Sequence, residues 1–326
     1  MSNRPLALAV LFEHPDWFRP LFQELDRRGY PYRKLHADEH HFRATTPTEV
    51  GDAPALVFNR MSPSAWKRGR PGAIFYTAHY LGHLEALGVP VFNGIRTYTY
   101  EISKALQVSL LARLGLSVPR TEVVHRPELL APAAASLGFP VLVKPNIGGS
   151  GAGITRYDRL EPLKDEVAAG RIPPSLDGTW LVQEYHPPAG RSIVRVETLE
   201  GRYLYGIRIH LEEGAGFDLC PADICRSTSG QALESAACPV EARKSGLTVE
   251  AYTPPAEVVA AVERIAQATH LDVGGIEYLE SERDGQRYYY DINALSNFVA
   301  DPVRVVGLDP TARLVDALIA RARRTA

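Results

Sequence analysis

The chain has 326 residues, of which 45% are hydrophobic and 23% are charged, and its 36 basic and 38 acidic side chains give a formal net charge of −2. This composition is typical of a globular protein of roughly two domains and excludes a largely disordered chain. The balanced charge offers no basic surface for nucleic acid, and no apolar run approaches the ~20 residues that span a bilayer. We therefore expect neither a nucleic-acid partner nor a membrane partner.

The N-terminus and the cysteines indicate a compartment. Residues 1–10 lack a cationic start followed by a long apolar region and a cleavage site, so secretion is not expected. The three cysteines, Cys220, Cys225 and Cys238, are an odd number and do not have the spacing of a zinc ribbon. They are typical of reduced thiols, and we expect a cytoplasmic protein.

Short apolar runs alternate with helical periods over the first 95 residues. The run at 6–12 predicts a strand that is buried on both faces, and a helical stripe follows it and ends at Gly29. Further runs predict strands at 32–35, 55–58 and 89–92. Strands that alternate with helices predict a parallel α/β unit.

The middle of the chain combines one helix with strands around a glycine-rich loop. Apolar residues at helical spacing predict a helix over about 100–114. Strands are predicted at 139–144 and 180–185, with the glycine-rich loop at 146–153 between them. The Pro-Pro-Ala-Gly sequence at 187–190 predicts a hinge.

The C-terminal part mixes strands with packing helices. Strands are predicted near 193–198, 203–210, 275–280 and 287–292. Thr253 and Asp309 each precede a proline, a pattern that predicts the start of a helix. A Pro- and Ser-rich loop is predicted at 221–244. This succession is typical of an α+β region.

A lysine followed by the glycine-rich loop is the first feature that indicates chemistry. Glycines let backbone N–H groups approach phosphate oxygens closely, and Lys144 at the end of the preceding strand adds a positive charge. The loop residues concerned are Gly148, Gly149, Ser150, Gly151 and Gly153. For this loop taken alone, a simple flexible turn without phosphate binding is an equal alternative.

A set of oxygen ligands is the second such feature. Glu277 and Asp291 lie on two predicted strands joined by a short turn, where cross-strand neighbours can face one cavity. Asp291 and Asn293 alternate with Ile292 and should share a face of their strand. Mg²⁺ prefers a few such oxygens together with nucleotide phosphates. A hairpin with polar residues that face water is the alternative.

These two features and the segments around them resemble the ATP-grasp carboxylate–amine ligases, in the style of RimK-type glutamate ligases and glutathione synthetases. The matching segments follow the order of the family and comprise Asn93 with 101–104, 116–121, 139–145, 181–185, 272–277 and 291–293. The resemblance implies an ATP-grasp fold of α/β and α+β character. A Rossmann-like domain would cover 1–98, a central lid domain with the phosphate-binding loop 99–185, and a C-terminal α+β domain with the metal site 186–326.

The same resemblance implies a nucleotide site between the second and third domains. Lys104 and Lys144 would contact the phosphates of ATP, under the glycine-rich loop. Glu184 would bind the adenine amino group, with Gln183 and Tyr185 on the same strand. Mg²⁺, or Mn²⁺ in its place, would be held by Glu277, Asp291 and Asn293.

Substrate contacts are also implied by the resemblance. Arg208 occupies the place of an arginine directed at the reacting carboxylate. Arg195 and Arg226 are further candidates for steadying substrate or phosphate. Ser296 and Asn297 would contribute to the choice of acceptor.

The implied activity is ATP-dependent formation of an amide or peptide bond. A carboxylate would be phosphorylated to an acyl phosphate, an amine would attack it, and ADP and phosphate would be released. The partners would be small-molecule or peptide carboxylates and amines. A nucleotide-binding module without ligase activity and a small-molecule kinase are the alternatives. The sequence leaves open the substrates and whether the chain forms a homo-oligomer.

Overall fold

The computed structural model describes residues 8–14, 16–45, 54–149, 151–211 and 247–325. Within these ranges the strands form three sheets, which draw on residues 8–92, 121–184 and 188–293. No helix in the described part of the chain is both long enough and apolar enough to cross a bilayer.

The N-terminal sheet is parallel, as predicted. Its strands are β1 (Leu8–Phe12), β2 (Tyr32–His36), β3 (Val57–Arg60) and β4 (Val91–Phe92), accompanied by helices α1 (Arg19–Arg27) and α2 (Pro71–Ala86). The strand order is β2-β1-β3-β4, so the chain leaves β1 toward one side of the sheet and β3 toward the other. The carboxyl ends of β1 and β3 therefore flank a topological switch point, where parallel sheets commonly bind ligands.

The helix predicted over 100–114 is instead two helices, α3 (Ile95–Glu101) and α4 (Lys104–Arg113). Ser103 between them has an extended backbone, and its Oγ accepts a hydrogen bond from the Leu106 amide at 3.3 Å. This N-cap starts a new helix although the apolar stripe continues across the break. Lys104 is thereby placed in the first turn of α4.

The second sheet is antiparallel, in the order β5-β8-β6-β7. Its strands are β5 (Thr121–Val124), β6 (Val141–Pro145), β7 (Thr155–Tyr157) and β8 (Trp180–Glu184). Helices α5 (Leu130–Leu137) and α6 (Leu160–Ala168) pack in one core with one face of this sheet. The other face contributes to the cleft described below.

The C-terminal sheet is antiparallel, in the order β11-β10-β9-β12-β13. Its strands are β9 (Pro188–Leu199), β10 (Arg202–Leu211), β11 (Leu247–Ala251), β12 (Val273–Ser281) and β13 (Arg287–Asn293), and the helices of this region are α7 (Ala256–Thr269), α8 (Pro302–Val306) and α9 (Pro310–Thr325). The hinge predicted at 187–190 is instead the start of β9, where Pro188 pairs with Ser281. Helix α7 has Pro255 rather than Thr253 at its N-cap, whereas Asp309 caps α9 through the Ala312 amide at 3.0 Å.

The two faces of the C-terminal sheet bury different neighbours. Val194 and Ile276 share a core with α7 and with Leu110 of α4, although α4 falls in the predicted 99–185 segment. Ile193 and Ile207 on the other face share a core with β1, α1 and α9. Side chains on this second face of β9, β12 and β13 therefore point toward the crevice of the N-terminal sheet.

Candidate active site

A cleft of about 490 Å³ lies where the three sheets meet. The segments that follow β1 and β3 contribute Trp17, Ser62, Pro63 and Ser64 to its wall, which we call the N-terminal wall. The predicted site residues that line it are Lys104, Lys144, Gly148, Gly149, Gly151, Gln183, Glu184, Tyr185, Glu277, Asp291, Asn293 and Asn297. Residues distant in sequence thus converge on one cavity, which has the size of a small-molecule site.

The hairpin of β12 and β13 places the predicted metal ligands on one wall. Glu277 lies directly opposite Asp291, and Asn293 Nδ2 is 3.5 Å from Glu277 Oε1. The register shifts next to this pair, because Tyr278 pairs with Tyr289 and leaves Tyr290 as an extra residue. Such a bulge breaks the alternation of side chains, and both Tyr290 and Asp291 line the cleft.

Each carboxylate of this set is paired with a cation. Lys104 Nζ donates to Asp291 Oδ1 at 2.6 Å. Burial alone would raise the pKa of Asp291 and lower that of Lys104, but their mutual attraction prevails and shifts each pKa toward the charged form. Arg195 donates to Glu277 at 2.9 Å and to Glu197 at 2.6 Å. Burial nevertheless raises the pKa of Glu277, against the opposing effect of Arg195.

Arg195 owes its position to a glycine on the neighbouring strand. A Cβ at Gly275 would lie 2.6 Å from Arg195 Nε and 2.8 Å from its Cζ. The guanidinium therefore lies flat against the backbone of β12, which only glycine allows. Arg195 was one of the secondary candidates from the sequence, and the structure brings it into the cleft.

Lys144 has a different environment from Lys104. Its side chain is 4% exposed, and Nζ donates to the neutral Gln183 Oε1 at 2.8 Å. Burial, together with repulsion from Lys104, lowers the pKa of Lys144 to about 7. An anion bound beside it would supply the missing counter-charge.

The glycine-rich loop lies against two other parts of the wall. A Cβ at Gly148 would lie 3.3 Å from Lys104 Cε, and one at Gly149 would lie 2.7 Å from Ser64 Cβ. The loop thus touches the N-terminal wall, just after β3, at a contact too tight for any side chain. Gly153 does not line the cleft and packs on Pro145 instead. Ser150 lies outside the described residues.

The far end of the cleft contains the predicted adenine residues. Glu184 accepts hydrogen bonds from Arg120 and Arg283, each at 3.1 Å. Burial alone would raise the pKa of Glu184, but Arg120, His186 and Arg283 together outweigh it, and the pKa is lowered. The Tyr185 ring lies 4.4 Å from the Arg156 guanidinium.

Arg208 is not brought into the cleft. It lies on the opposite face of β10 from Ile207 and Ile209, and its guanidinium stacks over the Tyr252 ring at 4.4 Å. Its predicted role at the reacting carboxylate stays a prediction, which this placement does not support. Arg156 and Arg195 are the arginines that line the cleft among the described residues. Arg226 lies outside the described residues.

Ser296 and Asn297 meet a buried arginine that sequence reasoning missed. Arg60, at the end of β3, donates from Nη2 to the Ser296 carbonyl at 2.5 Å and to Asn297 Oδ1 at 3.0 Å. It is 4% exposed, and burial lowers its pKa to about 9. Asn297 lines the cleft, whereas Ser296 does not.

Two further cleft residues were not assigned a role from the sequence. Glu101 accepts a hydrogen bond from the Ala294 amide, and burial raises its pKa to about 7. Gln107 is 1% exposed and bonds to the backbone of β13. Glu101 lies in the 101–104 segment of the family resemblance, and Gln107 lies just after it. Their contacts are with β13 and the residue that follows it, which are far along the chain.

The donor set fits Mg²⁺ bound together with a nucleotide. Within the described residues no group of three or more His, Cys, Asp or Glu side chains could hold a metal. Two carboxylates and an amide oxygen from Glu277, Asp291 and Asn293 match the partial oxygen set that Mg²⁺ takes when phosphates and waters supply the rest. The two lysines and three glycines of the loop line the same cleft, and groups of these kinds can neutralise phosphates.

Comparisons with known proteins identify the fold. No family model matches the chain. It is 33% identical over 142 residues to a D-alanine–D-alanine ligase of Haemophilus influenzae (strain PittEE), which is 42% of this chain and 46% of that ligase. It is 27% identical over 173 residues to a probable alpha-L-glutamate ligase of Sodalis glossinidius (strain morsitans), 49% of this chain and 57% of that protein. The chain spans about half the length of the curated relatives it matches.

A solved structure covers nearly the whole chain. The ATP-grasp ligase PsnB, solved with a minimal precursor, Mg and ADP, matches with a TM-score of 0.64 and 22% identity over 99% of both chains. The chain therefore has the ATP-grasp fold, which confirms the fold class predicted from the sequence. The predicted resemblance to ATP-grasp ligases is confirmed as well.

Proposed function

We propose that this ATP-grasp chain is an ATP-dependent ligase that joins a carboxylate to an amine through an acyl phosphate. The observation that carries the proposal is the convergence, in one cleft, of Lys104 and Lys144 with Glu277, Asp291 and Asn293. The relatives named above are ligases, which supports the same class of reaction. A cytoplasmic location forms part of the proposal.

The nucleotide is proposed to lie between the second and third sheets. Lys104, Lys144 and the backbone of the glycine-rich loop neutralise its phosphates. Gln183, Glu184 and the backbone at Tyr185 hold the base at the other end of the cleft. Mg²⁺, or Mn²⁺, bound by the β12–β13 hairpin would supply positive charge at the transferring phosphoryl group.

The acid substrate is proposed to react where the wall formed by the β12–β13 hairpin meets the N-terminal wall of the cleft. A carboxylate oxygen attacks the γ-phosphorus, and the bond to ADP breaks. The amine nitrogen then attacks the acyl carbon, and phosphate leaves with the bridging oxygen. Arg195, which lines the cleft and holds Glu277, takes the role predicted for Arg208, because cationic groups stabilise charge that develops during transfer.

The acceptor side is proposed to be the carboxyl edge of the N-terminal sheet. Trp17, Ser62 and Ser64 follow the carboxyl ends of β1 and β3 at the switch point, and Asn297, in the segment after β13, lines the same cleft. Small-molecule or peptide carboxylates and amines are the partners that this reaction requires.

The test measures ADP and phosphate release from Mg²⁺-ATP with a panel of amino acids and dipeptides. Release is expected only when a carboxylate and an amine are both present, and Asp291→Ala should abolish it. Asp301→Asn, a change at an exposed residue outside the cleft, is the matched control and should keep wild-type rates. Release that needs no amine would instead indicate a kinase, and nucleotide binding without release on any pair would indicate a binding module.

A further inference from the structure

The outer edge of β13 is paired by side chains at its carboxyl end instead of by another strand. β13 is the last strand of the C-terminal sheet, with β12 on its inner side. An edge strand presents a row of N–H and C=O groups that lack strand partners. Here that row runs alongside Asp291 and Asn293, and a displacement of the edge would displace both side chains.

Gln107 pairs with this edge as a neighbouring strand would. Its Oε1 accepts from the Ile292 amide at 3.1 Å, and its Nε2 donates to the Ile292 carbonyl at 2.9 Å. The same Nε2 donates to the Tyr100 carbonyl at 2.8 Å, which fixes the orientation of the side-chain amide. Ile292 is the residue between Asp291 and Asn293, so one amide holds the backbone at the centre of the proposed metal set.

Two more side chains continue the pairing at the next outward-facing residue. Glu101 accepts from the Ala294 amide, and Asn93 Nδ2 donates to the Ala294 carbonyl at 2.9 Å. Asn93 also accepts from the Val273 amide at 3.1 Å, at the start of β12. The end of the hairpin is therefore held from the turn after β4 and from helix α3.

Helix α4 couples this pairing to the phosphate-binding lysine. Gln107 lies one turn after Lys104, which donates to Asp291 Oδ1 at 2.6 Å. The two side chains point the same way from the helix. The helix thus binds the side chain of one proposed ligand and the backbone of the next residue.

We propose that Gln107 is a positioning residue, which holds β13 so that Asp291 and Asn293 are preorganised to bind the metal–nucleotide complex. The inference rests on the proposed function, since that function makes these two residues metal ligands. Removal of a group that hydrogen-bonds to a metal ligand and orients it typically lowers metal affinity 10- to 100-fold. Gln107 acts on the backbone of the ligand strand rather than on a ligand side chain.

The test measures Mn²⁺ binding by electron paramagnetic resonance in the presence of AMPPNP. Gln107→Met keeps the length of the side chain and removes all three hydrogen bonds, and its affinity for Mn²⁺ should fall by roughly tenfold or more. Thr97→Val is the matched control, because Thr97 is 2% exposed and donates to the Thr269 and His270 carbonyls, away from β13. It should lose a similar amount of thermal stability and bind Mn²⁺ like the wild type.

The outcomes separate this inference from the proposed function. Wild-type affinity in Gln107→Met, or an equal loss in both variants, would overturn the positioning role while leaving the metal site in place. A wild-type protein that binds neither AMPPNP nor Mn²⁺ would overturn the proposed function and this inference with it.

Hydrogen exchange of the wild-type protein tests the pairing without any variant that could fail to fold. The Ile292 and Ala294 amides should exchange slowly although they lie on a sheet edge, because side chains accept their hydrogen bonds. Exchange at the rate of an open edge would contradict the pairing and overturn the proposal.

Discussion

The two walls of the cleft differ in how their polar groups are satisfied. On the wall that carries the motifs, Lys104 meets Asp291 and Arg195 meets Glu277, so cations and carboxylates are already paired. On the N-terminal wall, which consists of Trp17, Ser62, Pro63 and Ser64, the two serine hydroxyls bond to each other and no side chain carries a charge. The first wall can exchange its internal ion pairs for a charged ligand of fixed chemistry, whereas the second offers an aromatic ring and hydroxyls to a variable one.

This difference explains why only one wall carries recognisable motifs. A nucleotide and a metal require particular residue types at particular spacings in any protein that binds them. An acceptor substrate requires only a complementary shape and a few hydrogen-bond donors. We interpret the uncharged N-terminal wall as the substrate side of the proposed ligase.

The largest effect on stability is expected from Arg195→Met. The change leaves Glu277 and Glu197 buried without the guanidinium that bonds to both, at a cost of about 3–5 kcal/mol. The melting temperature should fall by roughly 10 °C in a thermal denaturation experiment. A shift of less than 2 °C would show that the paired wall does not depend on this cation.

Gly149→Ala should reduce activity more than stability. The new Cβ would lie 2.7 Å from Ser64 Cβ and 3.0 Å from its Cα, so the loop could no longer rest against the N-terminal wall. We expect kcat/KM for ATP to fall by roughly 10- to 100-fold, because misplacement of a positioning loop has effects of this size. Gly72→Ala, where a Cβ meets nothing within 4 Å, is the control and should leave kinetics unchanged. Equal kinetics in both variants would contradict contact between the walls.

Lys144 should make nucleotide binding depend on pH. Its pKa in the free protein is lowered to about 7, so the side chain loses its proton as the pH rises through neutrality. Phosphates favour the charged form, and binding above pH 7 must therefore take up a proton, with affinity falling by up to about tenfold per pH unit. Calorimetry in two buffers should show proton uptake at pH 8 but not at pH 6. Absence of uptake at pH 8, or its persistence in Lys144→Met, would refute this assignment.

The smallest effect is expected from Trp17→Phe on the N-terminal wall. The ring is stacked 4.2 Å from His14 and lies 5.1 Å from the Arg68 guanidinium, contacts that phenylalanine largely keeps. Stability should change by only about 1 kcal/mol, because no hydrogen bond in the described chain is lost. The KM of the acceptor should rise several-fold while the KM of ATP stays constant. A rise in the KM of ATP alone would reverse the roles given to the two walls.

Sequence patterns predicted the hairpin well because its alternation is local. The sequence predicts Glu277 and Asp291 on two neighbouring strands that can face one cavity, and the structure pairs the two residues directly. The bulge at Tyr290 was not predictable, since nothing in three successive tyrosines marks the extra residue. The break between α3 and α4 at Ser103 was not predicted for a similar reason, because the apolar stripe continues across the N-cap.

Features that depend on how separate sheets pack could not be predicted. Alternation along β10 shows that Arg208 and Ile207 face opposite ways, but not which face meets the cleft. That depends on the N-terminal sheet, which covers the Ile207 side. Arg60 and Ser64 were missed because their role follows from where β3 ends relative to the other sheets.

The most direct test of the central claim follows oxygen from the acid substrate. The first carboxylate that supports ADP release is labelled with ¹⁸O, and the phosphate formed with the matching amine is analysed by mass spectrometry. An acyl phosphate transfers one carboxylate oxygen to phosphorus, so the account predicts one ¹⁸O in each phosphate released. Unlabelled phosphate would contradict the ligase mechanism, because the acid would then not have been activated by ATP.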